Sequence, residues 1–254
     1  MRILRVIGVL IGLSIVCLLI RQVGWEPLRH SLEMLGWGYL LVLIYPLSWI
    51  LLNTTAWRWA MHPQFASTPL WRLAAIRVAG ETFNSLLPSG YVGGEPLKAK
   101  LLSQMIPLRE AASSVLIAKS SQSIALVLFV VLGFTMGRTT GPSPLSQPAT
   151  LIAMGTLAAG IFIFTLLLTR RSFSRIGHWL HRLTGHPWLQ KQENNLVALD
   201  DSIGVFYREG KIRFFVSVLW HVAGWLAGAL EVALIFYLLG NPIDWHQAWF
   251  IGAM

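Results

Sequence analysis

Apolar residues run almost unbroken through Ile3–Ile20, Leu35–Trp57, Ala112–Gly137, Thr150–Thr169 and Phe214–Leu239, and a sixth run starts at Trp245 and continues to Met254. A helix needs roughly 20 mostly apolar residues to cross hydrocarbon. The first five runs therefore predict membrane spans. The sixth holds about ten residues, too few to span, and suggests the N-terminal fragment of a longer chain. The expected fold is all-α: a polytopic membrane protein of about six transmembrane helices, the last truncated, with residues 1–254 as one membrane-embedded domain. The first run has a basic start like a secretory signal, but no small-x-small cleavage site follows it, so it is expected to stay as a span.

Two stretches break the pattern. Residues 170–213 alternate polar and apolar positions at helical spacing. Phe173, Ile176, Leu180 and Leu183 share one face, with Arg175, His178 and Arg182 opposite, and Leu196, Leu199, Ile203 and Phe206 repeat the pattern. Such stripes predict amphipathic helices over about 172–208 lying along the membrane surface, cationic side toward anionic lipid. The other break, between Leu73 and Leu97, holds "NSLLPSGYVGGE" (residues 84–95).

Charge then sets the topology. Arg2 and Arg5 predict a cytoplasmic N-terminus, and Arg58 and Arg72 a cytoplasmic loop after the second span. The loop Arg138–Pro148 has one basic residue and suits the outside, whereas the basic segment 170–213 suits the inside. The chain is thus inside at Arg72 and again at Lys98, Lys100 and Arg109. About 25 intervening residues are too few for two spans at 1.5 Å per residue. A re-entrant helical hairpin near 73–105 satisfies both constraints.

In its first limb, Arg77, Glu81, Asn84 and Pro88 fall on one helical face, and Arg77 and Glu81 are spaced to pair. Pro88 should end that limb. Gly90, Gly93 and Gly94 supply a flexible turn. Pro96 suits the first position of the next helix, with Gly94 or Glu95 as its N-cap. That helix start would be an anion site, with Lys98 and Lys100 adding charge for a lipid headgroup. A plain kink whose polar groups satisfy each other is the competing reading.

The stretch "VAGETFNSLLPSGYVGGEPLKAKLL" and the helix after it resemble the flippase-like family of the lysylphosphatidylglycerol synthase transmembrane region, closest to its hopanoid-biosynthesis-associated branch. The matching positions are Gly80, Glu81, Asn84, Leu86, Leu87, Pro88, Gly93, Gly94, Glu95, Lys98 and Ala99. The resemblance implies an inner-membrane protein that moves lipids, with a phospholipid or hopanoid-type lipid as cargo. The soluble aminoacyl-transferase part of the two-domain synthases has no counterpart in these residues, so aminoacylation is not implied.

The remaining polar positions sharpen this picture. Ser217, His221, Gly224, Gly228 and Glu231 form one stripe centred on G-x-x-x-G, which suits a packing seam or a proton or substrate path. Glu231 needs a partner, for which Lys119 is the candidate. Lys119, Gln122 and Ser123 share a face about 10 Å into their span; Lys119 either snorkels to the interface or meets the hairpin. His178, His181 and His186 lack the Cys or carboxylate company of a metal site, so no metal and no cofactor are expected.

Composition excludes more than it adds. With 55% hydrophobic and 12% charged residues and a mean hydropathy of +0.60, the chain is no soluble domain. The net charge of +9 sits beside apolar runs and points to anionic lipid, not nucleic acid. Cys17 is alone, so no internal disulfide forms. The expected partners are membrane lipids and lipid-biosynthesis proteins. A lipid translocator is the leading expectation. A lipid-modifying enzyme using Glu81 and Glu95, or a scaffold for such a partner, are the alternatives.

Overall fold

The computed structural model describes residues 14, 17–86, 93–136, 148–170, 172–185 and 187–253. These are helical with short connections, and no strand occurs among them. The helices are α1 (Trp25–Leu35), α2 (Gly38–Ile44), α3 (Pro46–Trp59), α4 (Leu70–Leu86), α5 (Gly94–Leu102), α6 (Leu108–Met136), α7 (Pro148–Thr169), α8 (Ser172–Thr184), α9 (Pro187–Glu209), α10 (Lys211–Leu238) and α11 (Trp245–Ala253). Most of the first apolar run, Arg2, Arg5, Pro88, Gly90, most of the loop Arg138–Pro148 and His186 lie outside the described residues.

Four helical segments among the described residues are long and apolar enough to cross a membrane: Gly38–Trp59, Leu108–Thr135, Leu151–Thr169 and Lys211–Leu238. They coincide with four of the runs in the sequence. The first is α2 and α3 in line, interrupted at Pro46, which has no N–H to give back along the helix. α7 buries only 6% of its most apolar window. Its Ile152 and Phe162 stand two-thirds exposed, a surface that suits lipid, where apolar side chains need no cover.

α10 packs along α3 and α6, and α11 returns across the far ends of α6 and α10. Trp249 of α11 donates to the Phe129 carbonyl at 3.1 Å and stacks on the Phe129 ring. The apolar core gathers at the opposite end, where Trp57 and Met61, Leu73, Leu102, Ile117 and Phe206 meet. It clamps the ends of α4 and α5 against the bundle.

α8 turns Ile176, Trp179, Leu180 and Leu183 outward, the arrangement expected of a helix at a membrane surface. α9 departs from that expectation. Its first half runs antiparallel to α8, with His178 3.1 Å from Glu193. The amides of Phe173 and Ser174 donate to Asp200, at 3.2 and 2.8 Å. Its second half leaves the surface and enters the bundle. Ser202 donates to Glu110 at 3.0 Å and Tyr207 to Ser120 at 3.1 Å, while Ile203 and Phe206 are buried. The apolar stripe read as lipid-facing is in this half a protein contact, because α6 offers it a matching face.

Candidate functional site

α4 brings Arg77, Glu81 and Asn84 to one face, as the sequence spacing requires. α5 brings Glu95 and Lys98 to one face by their i, i+3 spacing. The two helices lie antiparallel with these faces together. Asn84 Nδ2 donates to Glu95 Oε2 at 3.3 Å, and its Oδ1 accepts from the Gly94 amide at 2.6 Å. Three residues back along α4 and three residues on along α5, Lys98 Nζ donates to Glu81 Oε1 at 2.7 Å.

Glycine permits this approach. A Cβ on Gly80 would strike the Lys98 side chain, and a Cβ on Gly94 would strike the Gly80 carbonyl oxygen. The second collision involves backbone on both sides, and neither helix can yield without breaking the ion pairs. Gly94→Ala is therefore expected to destabilise the protein by about 1–3 kcal/mol, read as a lowered melting temperature in detergent. Gly94 serves proximity and not positive φ; Gly93 before it is right-handed at φ −65°, and neither is among the positive-φ glycines.

The charges form a chain. Arg77 Nη2 lies 3.7 Å from Glu81 Oε1, Lys98 Nζ lies 2.7 Å from Glu81 and 3.4 Å from Glu95, and Lys119 Nζ of α6 lies 3.2 Å from Glu95 Oε1. Three cations hold two carboxylates, leaving one positive charge in surplus. Arg77 and Lys98 are each only 5% exposed. Buried charges persist only when paired and hydrogen-bonded, and Asn84 completes the set. Among the described residues, the Arg77 Nε is buried without a hydrogen-bond partner.

Beside the chain is a cavity of about 680 Å³, walled by α3, α4, α6 and α10. Arg77, Glu81 and Lys119 form its charged end, with Asn53, Gln122 and Ser123 next to them. Trp49, Leu126, Trp225 and Gly228 form its apolar end. Lys119 is eleven residues into α6, about 17 Å from its start at 1.5 Å per residue, so charge reaches deep along a spanning helix. A niche of about 10 Å³, roughly one water, lies behind it against Glu95, Lys98 and Trp57.

Asn53 is the residue that the sequence reading passed over. Its Nδ2 donates to the Trp49 carbonyl at 2.7 Å, which leaves Oδ1 to accept from His221 Nδ1, also at 2.7 Å. His221 therefore carries its proton on Nδ1. It is fully buried, as is Ser217, whose hydroxyl meets the Ala56 carbonyl at 2.9 Å and Ser121 at 2.8 Å. The signal was present in "LNTT": Thr54 and Thr55 bond back to their own helix, whereas asparagine has a second end to offer.

Several expected positions fall differently. Lys100 is exposed and takes no part in the charge chain. The start of α5 is not an open anion site, since the Gly94 amide is already bound to Asn84 and Glu95 stands beside it. The helix begins at Gly94, so Pro96 is third in it, still within the turn whose N–H groups have no partner inside the helix. Lys119 pairs with Glu95 and not with Glu231, which is half-buried and in no ion pair among the described residues. The G-x-x-x-G stripe is divided: Gly224 packs on the Asn53 amide, whereas a Cβ on Gly228 would meet nothing within 4 Å. Among the described residues, no three His, Cys, Asp or Glu side chains come together as metal ligands would.

Spanning helices wrapped round a charged helical pair define a multi-pass membrane protein. The chain belongs to the family described as the lysylphosphatidylglycerol synthase TM region, which matches residues 5–254. Neither a curated protein nor a solved structure matches it.

Proposed function

We propose that this domain moves a lipid across the inner membrane, seating its headgroup at the charged end of the cavity while the acyl chains stay in the bilayer. The carrying observation is the cavity itself, which joins a surplus cation and an unpartnered Arg77 Nε to an apolar wall at Trp49, Leu126 and Trp225. A site of that form matches an amphiphile with an anionic head. The surplus charge favours a phospholipid over an uncharged lipid of the hopanoid type.

In this reading α4 and α5 are the limbs of a hairpin that enters and leaves on the cytoplasmic side. The N-terminus is cytoplasmic, and the first apolar run adds a further span to the four above. Irregular backbone at membrane depth is tolerated where protein or a wet cavity surrounds it, and the antiparallel pairing of α4 with α5 supports that placement. The clamping of Glu81 and Glu95 by cations supports binding over acid–base catalysis, so no enzymatic role is assigned.

The test is reconstitution in liposomes carrying labelled phosphatidylglycerol or phosphatidylcholine. Lys119→Gln leaves Glu95 still held by Lys98 and Asn84, so the fold should persist. Loss of one charged hydrogen bond, about 1.5–3 kcal/mol, predicts roughly a ten- to hundredfold slower exchange of the anionic lipid, with phosphatidylcholine unaffected. Equal rates for the variant and the parent protein would remove the headgroup assignment. A chemically altered lipid would establish the enzyme instead.

A further inference from the structure

A second cavity, of about 700 Å³, shares no residue with the first. It lies where α7 ends and α10 begins, between α8 and α9. Arg170, Arg175, Arg208 and Lys211 line it, are exposed, and make no ion pair among the described residues. Unpaired cations scattered over a surface are ordinary; four of them converging on one concavity concentrate field.

The neighbouring groups do not cancel that charge. Asp200 lines the cavity too, but it is buried and spent on the start of α8, accepting from the Phe173 and Ser174 amides and from the Ser174 hydroxyl at 2.7 Å. With Asp201, the lining carries two carboxylates against four cations, a formal surplus of two. Tyr207 adds no negative charge, since burial pushes its hydroxyl up to about 12. The wall also contains Gly204, in mid-helix, where a Cβ would meet nothing within 4 Å. A helical glycine costs roughly 1 kcal/mol relative to alanine, and no close packing here requires one; its effect is to leave the wall open.

Position selects the kind of ligand. Thr169 and Lys211 are the end residues of two spanning segments, so the cavity opens at the level where hydrocarbon gives way to headgroups. Beside it, α8 exposes Ile176, Trp179 and Leu180, and Trp179 stands one turn along the helix from Arg175.

We infer that this cavity binds a lipid headgroup carrying a doubly charged phosphate, a phosphomonoester or a diphosphate, at the membrane surface and independently of the cavity at Arg77. Arginine forks match phosphate oxygens in bidentate fashion, and basic pockets at the ends of spanning helices suit phosphate heads.

The experiment uses the full chain in phosphatidylcholine nanodiscs doped with phosphatidic acid, a phosphomonoester lipid, and quantifies the lipid retained after a detergent wash. Phosphatidic acid is expected to be enriched over phosphatidylcholine. The double variant Arg175→Gln, Arg208→Gln should lose at least tenfold of that retention. Gly204→Phe should lose it likewise by filling the cavity with no change of charge, and it carries the test if the double variant does not fold. Lys100→Gln, an exposed charge change that lines neither cavity, should retain phosphatidic acid at the parent level. Unchanged retention in Gly204→Phe, or an equal loss of retention in Lys100→Gln, would overturn the assignment. So would calorimetric binding of inorganic pyrophosphate without any retention of phosphatidic acid, which would make this a site for soluble phosphate.

Discussion

Lys98→Met is expected to cost the protein about 3–5 kcal/mol, the range for breaking a buried charge pair from one side, and to lower the melting temperature in detergent by roughly 6–20 °C. Lys98 sits between two carboxylates, 2.7 Å from Glu81 and 3.4 Å from Glu95. Methionine keeps the length of the stem that packs over Gly80 but removes the charge. Glu81 is then left with Arg77 at 3.7 Å, beyond good hydrogen-bond distance, and Glu95 with Lys119 and the neutral Asn84 amide. The penalty comes from stranded anions and not from lost packing. The double variant Lys98→Met, Glu81→Gln should therefore recover most of the loss, because Glu95 keeps Lys119 and Asn84. A single variant melting within about 2 °C of the parent, or a double variant melting lower than the single, would show that the charge chain does not hold α4 to α5.

The contrast between Lys98 and Lys119 also shows which parts of this site a sequence discloses. Arg77, Glu81 and Asn84 are legible as a face because helical spacing is local, and so is the i, i+3 pair Glu95 and Lys98. The spans are legible for a similar reason: hydrocarbon demands about 20 apolar residues in sequence, and no tertiary partner changes that count. What Lys119 pairs with depends on how α6 is rotated against α5 and α10, a matter of packing between separate segments of the chain. Glu231 and Glu95 are equivalent candidates until that rotation is known. The same holds for α9. Its stripe through Ile203 and Phe206 is amphipathic whether lipid or α6 covers it, and only the structure shows that α6 does. The basic residues of 170–213 are visible as a surface charge, but their convergence from α7, α8, α9 and α10 on one concavity is not.

Gly224 and Gly228 make the sharpest use of this difference, since the sequence treats them alike and the structure does not. Gly228→Phe is expected to slow lipid exchange in liposomes at least tenfold while leaving the melting temperature at or slightly above that of the parent protein. Its new side chain enters open space and meets no wall at the first atom, and replacing a helical glycine gains a few tenths of a kcal/mol or more in propensity. The ring then occupies the apolar end of the cavity, between Trp225 and Leu126, where the proposed cargo would pass. Gly224→Phe, one turn earlier, drives its Cβ into the Asn53 amide and so into the bond that holds His221. It should fail by unfolding. The pair separates obstruction from damage: two variants with the same residue change on the same stripe of the same helix differ only in what lies opposite. Parent-level exchange in a folded Gly228→Phe protein would mean that lipid does not travel through the cavity beside Arg77, and the translocator reading would fall with it.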